Sequence, residues 1–276
     1  MRKCKKCGID RSFALYFDTR FNMCMKCYYP GVKLFDHIDT KYDIPKLTRK
    51  NENHKRVYYD DNNNRYESVT NVVGHEDNDS LTQWRESVGY DVADYISRRA
   101  MNLGTKMHDM IERYLYNKIN IETNLFANAH FNNIKTLLNN INNISGLEIR
   151  VCSKKLGLAG TADCIAEYDG IPSIIDFKTS SKKKKEEWIL KYFLQTTAYS
   201  IMWEELTGQK IEQIVVLITA EDGSLEAHIK NREDYRTELN DTIERFNNKQ
   251  KLNHLRKMDK ALFNSTEKTG EMNNEI

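Results

Sequence analysis

Gly160-Thr161-Ala162-Asp163 and, further on, Ile174-Ile175-Asp176-Phe177-Lys178-Thr179 carry the pattern that decides the fold of this chain. Between them stands Asp169-Gly170, a dipeptide suited to a tight hairpin turn. Residues 173–179 are apolar on both sides, as in a central strand. Asp176 and Lys178 are two apart, so on a strand both point to one face. Counting back from the turn can place Asp163 beside Asp176 on the neighbouring strand, at one end of the hairpin. Two carboxylates there can hold a hard divalent cation, Mg²⁺ or Mn²⁺, through oxygen. A lysine beside them can orient water or offset charge developing on a phosphoryl group. On its own, Asp-x-Lys on a strand is usually a solvated face or a surface ion pair, so the surrounding sequence decides.

Outward from this hairpin, 147–153 reads as a strand leading into 161–168 through Gly157-Leu158-Ala159-Gly160. A long helix is expected over 186–206, with Gly208 as its cap. It carries Gln195 and Tyr199, which share a face at i and i+4. Strands at 211–220 and 225–229 flank Glu221-Asp222-Gly223, and a last helix covers 231–260. Upstream, 80–143 is helical in period: Leu81, Trp84 and Val88, then Ile96, Ala100 and Leu103, then Met107, Met110, Ile111, Tyr114 and Leu115. Phe126, Ile134, Leu137, Leu138 and Ile141 continue that period. His108 and Glu112 are another i, i+4 pair, and Glu148 lies on the first strand of the meander. Residues 56–59 and 65–68 flank Asp60-Asp61-Asn62-Asn63-Asn64 as a hairpin. From there a strand is expected through Ser68-Val69-Thr70 as far as Gly74. Helices before, within and after a run of strands make an α/β core, a central mixed sheet flanked by helices.

The cysteines divide the N-terminus from this core. Cys4, Cys7, Cys24 and Cys27 form two CxxC pairs separated by sixteen residues, a spacing suited to a closed tetrahedral Zn²⁺ site. Lys3, Lys5, Lys6, Arg11 and Lys26 make this module basic, and contact with nucleic acid and a purely structural or protein-binding role both stay open. Cys152 and Cys164 are isolated. The expected organisation is a zinc module over 1–30, a polar linker over 31–54, the α/β domain over 55–262 and a disordered tail over 263–276. The net charge of +2 across 276 residues excludes nothing about partners, so a nucleic-acid surface has to come from local clustering. Lys182-Lys183-Lys184-Lys185 is such a cluster, directly after the Asp-x-Lys strand. Trp188, Tyr192, Tyr58 and Tyr59 are candidate base-stacking rings, with core packing the competing role. No apolar signal core follows Met1, and no stretch reaches the roughly 18–20 apolar residues of a membrane helix. The reading is of a soluble, intracellular, cytoplasmic protein, and the asparagine bias hints at an AT-rich genome such as a phage's.

Gly-x-x-Asp, then Ile-Asp-x-Lys-Thr, then Gln-x-x-x-Tyr, in that order, resembles the PD-(D/E)XK nuclease superfamily in its RecB/Cas4-like branch. Ser68-Val69-Thr70 and Gly104-Thr105-Lys106-Met107-His108-Asp109-Met110-Ile111-Glu112 strengthen the likeness to mitochondrial and phage exonucleases of that branch. The resemblance covers about 55–230 and implies a restriction-endonuclease-like core. It implies His108, Asp163 and Asp176 as metal ligands with the Phe177 carbonyl, and Lys178 as the catalytic lysine. Glu112 and Glu148 would support the site or a second metal, and Gln195 and Tyr199 would complete the catalytic set. Ser68, Thr70, Thr161, Thr179, Lys182 and Lys183 would contact DNA. No cysteine follows Cys164, so the iron–sulfur cluster of some relatives is not expected. The activity implied is exonucleolytic hydrolysis of single-stranded DNA. A structure-specific endonuclease and a non-catalytic zinc-containing DNA-binding accessory protein are the alternatives.

Overall fold

The computed structural model of the chain describes residues 3–7, 17–18, 23–24, 33–39, 42–53, 55–76, 78–118 and 124–271. Near the N-terminus, β1 (Phe17–Asp18) and β2 (Met23–Cys24) pair as a small antiparallel sheet. The main sheet has eight strands. It begins with β3 (Thr48–Glu52), β4 (Lys55–Tyr59) and β5 (Arg65–Ser68), an antiparallel meander. The tip of its second hairpin is organised by Asp60, whose Oδ1 accepts the backbone N–H groups of Asn62 and Asn64 at 2.9 and 2.8 Å.

The centre of the sheet is β6 (Ile141–Ser153), β7 (Leu158–Tyr168) and β8 (Ile171–Ser180). Asp169 and Gly170 take φ of +52° and +78°, the left-handed pair that a two-residue turn matched to strand twist requires. The turn fixes the register. The β7–β8 ladder runs from Tyr168↔Ile171 to Cys164↔Ile175 and ends there. Asp163 and Asp176, the next pair in count, sit where the strands part. Beyond the parting, β5 takes over that edge of β7 in parallel, through Glu67↔Leu158 and Ser68↔Ala159. β6 lines the opposite edge of β7. β9 (Gln213–Ala220) is parallel to β8, and β10 (Leu225–Asn231) is antiparallel to β9.

Helices cover both faces, as buried strands need. On one face α3 (Tyr90–Leu115) and α4 (Leu125–Leu138) pack Met107, Met110, Ile111, Phe131 and Ile134 onto Ile175, Phe177, Val215 and Leu217. On the other, α5 (Leu190–Thr207) packs Phe193, Leu194, Ala198, Met202 and Trp203 onto Ile165, Ile174, Val216 and Ile218. Neighbours in sequence along β8 therefore serve opposite cores, the period of two expected of a strand. α1 (Val69–Val73) and α6 (Arg236–Glu271) add to the α5 side, and α2 (Asn78–Val88) packs on α3. Among the described residues no helix is long and apolar enough to cross a membrane.

Three expectations are corrected. Val69–Val73 form a helix, not a strand: Ser68 is its N-cap, and Val69 and Val72, three apart, are both buried, so packing overrides β propensity. The polar segment 31–54 is no structureless linker. Its 48–52 stretch is β3, Leu47 is buried, and Phe35 is buried with its backbone N–H and C=O both bonded to the Asn117 amide at 2.8 and 2.9 Å. Ile141 opens β6 and does not extend the preceding helix. The helical period over 81–103 is matched by helices, although Leu81, Val88 and Ile96 are exposed on them. The described residues of the expected tail, 263–271, are the end of α6. Of the cysteines expected to bind zinc, Cys4 is buried, Cys7 is exposed and Cys24 lies on β2. Cys27 lies outside the described residues.

Candidate active site

The parting of β7 and β8 leaves backbone groups that the ladder no longer satisfies, and side chains take them. Asp163 Oδ2 accepts the Phe177 N–H at 2.9 Å. His108, reaching over from α3, places Nε2 at 3.0 Å from the Phe177 carbonyl. A carbonyl only accepts, so Nε2 carries the proton and Nδ1 faces the site. Nδ1 lies 3.5 Å from Glu148 Oε1 and 3.7 Å from Asp163 Oδ2. The Phe177 carbonyl, expected as a metal ligand, thus accepts from His108 and fixes the orientation of the ring.

Asp176 is buried, at 1% exposure, and faces α5. Its Oδ1 accepts from Lys178 Nζ at 2.6 Å and from Gln195 Nε2 at 3.0 Å. Oδ2 lies 2.5 Å from the same ammonium but off the angle of a hydrogen bond, and accepts from no other group. Burial pushes the Asp176 carboxyl above its usual range, against the pull of Lys178. Burial would lower the Lys178 ammonium, but Asp176 and Asp163 outweigh it and hold the pKa above its usual value. Lys178 is therefore charged, and its Nζ sits 5.1 Å from the centre of the Tyr192 ring.

The structure brings the polar pair of α5 to this point. Gln195 Nε2 lies 3.4 Å from the Tyr199 hydroxyl, and both residues are buried. Tyr199 packs against Gly160: a methyl group there would stand 2.5 Å from Tyr199 Cε1 and 2.8 Å from its hydroxyl oxygen. The glycine, the tyrosine, the glutamine and Asp176 thus form one bracing chain.

One atom each from His108, Glu148 and Asp163 lies within 4.8 Å of the others. Octahedral ligands at about 2.1 Å from a cation stand about 3 Å apart, so a small closure around His108 Nδ1 suits a divalent ion. Asp176, expected as a ligand of the same cation, is not one of these three: its Oδ2 lies against the Lys178 ammonium at 2.5 Å. Glu148 has φ of +50° inside β6, uncommon for a residue with a side chain, and pairing with β7 is interrupted between Leu147↔Cys164 and Ile149↔Ala162. Burial, then Glu148, raises the pKa of the half-buried Glu112. Burial would lower His108, but Asp163 and Glu148 overcome it and push its pKa up to about 9.

Other expected contact residues divide by exposure. Ser68 is buried and bonded to Thr70 Oγ1 at 2.7 Å, which removes it from any DNA-facing surface, whereas Thr70 is exposed. Thr161 and Thr179 are half-buried; Lys182 and Lys183 are exposed. Tyr58 is a core residue and Trp188 is exposed. Tyr192, beyond its place among the candidate stacking rings, gathers three ammonium groups: Lys178 and Lys191 over its ring, and Lys184 Nζ at 3.3 Å from its hydroxyl. Nothing in its spacing from Lys178 signals that role.

The arrangement of a buried Asp and Lys on one strand, a second Asp on its hairpin partner and a Gln/Tyr helix behind them has a counterpart in known proteins. Residues 106–268 match the PD-(D/E)XK nuclease superfamily, and the chain belongs to it. It is also similar to human (Homo sapiens) mitochondrial genome maintenance exonuclease 1, at 25% identity over 156 residues. That likeness takes in 52% of this chain and 45% of the relative, so the chain spans less than half the length of the protein it matches.

Proposed function

We propose that the chain is a divalent-metal-dependent exonuclease that hydrolyses phosphodiester bonds in single-stranded DNA during replication, recombination or repair. The observation that carries this reading is the convergence of His108, Glu148 and Asp163 beside the buried Asp176–Lys178 pair. His108 Nδ1, Asp163 and Asp176 would hold Mg²⁺ or Mn²⁺, with Glu148 and Glu112 beside them. The bound cation supplies Lewis-acid polarisation of the phosphoryl group and a more acidic water. Lys178, charged, donates to a phosphate oxygen or to the attacking water and does not serve as a base. Gln195 fixes the Asp176 carboxylate, and Tyr199 fixes Gln195. Thr70, Thr161, Thr179, Lys182 and Lys183 would contact the DNA backbone. An N-terminal Zn²⁺ site of Cys4, Cys7, Cys24 and Cys27 belongs to the proposal as a structural module and is tested by metal content per chain. Preference for ends rests on the name of the human relative, and preference for single strands rests on the resemblance of the motifs alone.

The test is Mg²⁺- and Mn²⁺-dependent release of nucleotides from end-labelled single strands. Asp176→Asn and Lys178→Ala should each lower the rate by roughly 100-fold or more. Wild-type rates in both variants sink the assignment. Cutting of circular strands, or of strands blocked at both ends, favours an endonuclease of the same superfamily.

A further inference from the structure

The first half of α3 is unlike the second. From Met107 onward it buries Met107, Met110, Ile111, Tyr114 and Leu115, whereas in the half before it the buried residue is Ala93. Tyr95 is 67% exposed and, across a groove of about 660 Å³, Phe126 on α4 is 47% exposed. Arg98, Arg99 and Lys106 line the same groove. The Arg99 guanidinium lies 5.3 Å from the Phe126 ring centre, and Glu221 is its ion-pair partner at 3.2 Å. Arg98 donates its Nε–H to the Asp94 carbonyl at 3.3 Å, and among the described residues no carboxylate pairs with it. Exposed apolar surface rimmed by polar and charged groups is a mark of ligand-binding grooves.

The groove also leads to the catalytic strand. Arg99 and Leu103 line a second cleft with Thr179, Ser180 and Lys184. Thr179 in turn borders His108 and Lys178. Tyr95 to His108 spans about 20 Å along the helix axis at about 1.5 Å per residue. That length corresponds to about six stacked nucleotides at 3.4 Å each. Rings flanked by cations are the recurring platform for unpaired bases, whose faces stack while phosphates meet Arg and Lys.

Resting on the nuclease reading, we infer that this groove binds an unpaired DNA strand beyond the scissile phosphate. Tyr95 and Phe126 stack its bases, and Arg98, Arg99 and Lys106 meet its phosphates. The occupant is single-stranded because a paired base hides its faces in the helical stack, and a cleft of this volume is of small-ligand size.

The test uses the full chain in three assays. Binding of a fluorescent oligothymidylate of twenty nucleotides is measured in Ca²⁺. Stacking is read from the emission of an oligonucleotide carrying 2-aminopurine. Turnover is followed on the oligonucleotide and on thymidine 5′-(p-nitrophenyl phosphate), which is too small to reach the groove. Tyr95→Ala and Phe126→Ala should each weaken oligonucleotide binding by roughly 5- to 100-fold, relieve the 2-aminopurine quenching and raise KM, leaving turnover of the small ester unchanged. Phe126→Trp should restore binding. Wild-type affinity in both alanine variants, with the wild-type protein active, overturns the inference and leaves the nuclease reading standing. Equal competition by duplex of the same length overturns the choice of an unpaired strand. If the wild-type protein cleaves neither substrate under Mg²⁺ or Mn²⁺, the nuclease reading fails and this inference with it.

Discussion

Gly160→Ala is the most informative single change, because it loads the bracing chain from the end farthest from the chemistry. The added methyl would stand 2.5 Å from Tyr199 Cε1, against an ordinary carbon contact of about 3.5 Å. One of the two residues must therefore move by about 1 Å. Tyr199 is 2% exposed and hemmed in by the α5 core, so it cannot swing into solvent, and its displacement reaches Gln195 and through it Asp176. Overpacking of this kind costs about 1–3 kcal/mol, which at about 2–4 °C per kcal/mol lowers Tm by roughly 2–12 °C. A catalytic carboxylate misplaced by about 1 Å can lose roughly 100-fold in rate. Thermal unfolding and metal-dependent hydrolysis of a labelled single strand measure the two effects. Combining Gly160→Ala with Tyr199→Leu removes the clashing ring, so the double variant should lose less stability than the sum of the singles, by at least about 0.5 kcal/mol. A Gly160→Ala protein with wild-type Tm and rate, or strict additivity in the pair, refutes the bracing chain.

Other consequences follow from the same geometry. Gln195→Leu removes the amide that donates to Asp176 Oδ1 at 3.0 Å. Loss of a hydrogen bond to a charged group, about 1.5–3 kcal/mol, should appear as a roughly 10- to 100-fold fall in kcat with KM for the strand little changed. Glu148→Gly should lower Mn²⁺ affinity in a calorimetric titration and leave stability within about 1 kcal/mol of wild type. The reason is that glycine takes the +50° φ freely, which offsets its usual cost of about 0.5–1 kcal/mol; a larger loss of stability would show that the backbone there is unstrained. With its pKa at about 9, His108 is protonated in the metal-free protein at neutral pH and must release that proton to ligate. Apparent Mn²⁺ affinity should therefore rise about tenfold per pH unit up to about 9, and His108→Ala should flatten the profile. The raised pKa also has a folding consequence in metal-free protein. The stabilisation from charged His108 is full below the unfolded value near 6.5 and is lost as pH rises through about 9, which melts recorded across that window will read.

Much of this protein was written into its sequence. The two-residue Asp169–Gly170 turn fixes the strand count, so placing Asp163 beside Asp176 required only arithmetic from a turn whose φ values the residues demand. Helical spacing likewise put Gln195 and Tyr199 on one face, and motif order named the family. Other features had no local signature. Val69–Val73 is helical because burial against α5 and β7 outweighs its β-branched residues, and that environment is assembled from distant segments. The polar stretch before residue 54 gives no sign that Phe35 will be clamped by Asn117, 82 residues away. The helical period of early α3 does not say how much of the helix is covered, and only the fold leaves Tyr95, Ile96 and Met101 exposed. At the site itself, sequence supplied the carboxylates, the lysine and the histidine. Tertiary structure alone decided which nitrogen of His108 faces Glu148 and Asp163, that Glu148 is held with a left-handed backbone, and that Gly160 is a glycine because a tyrosine ring occupies the place of its side chain. Those are contacts between groups far apart in the chain, and local pattern reports only what lies within a few residues.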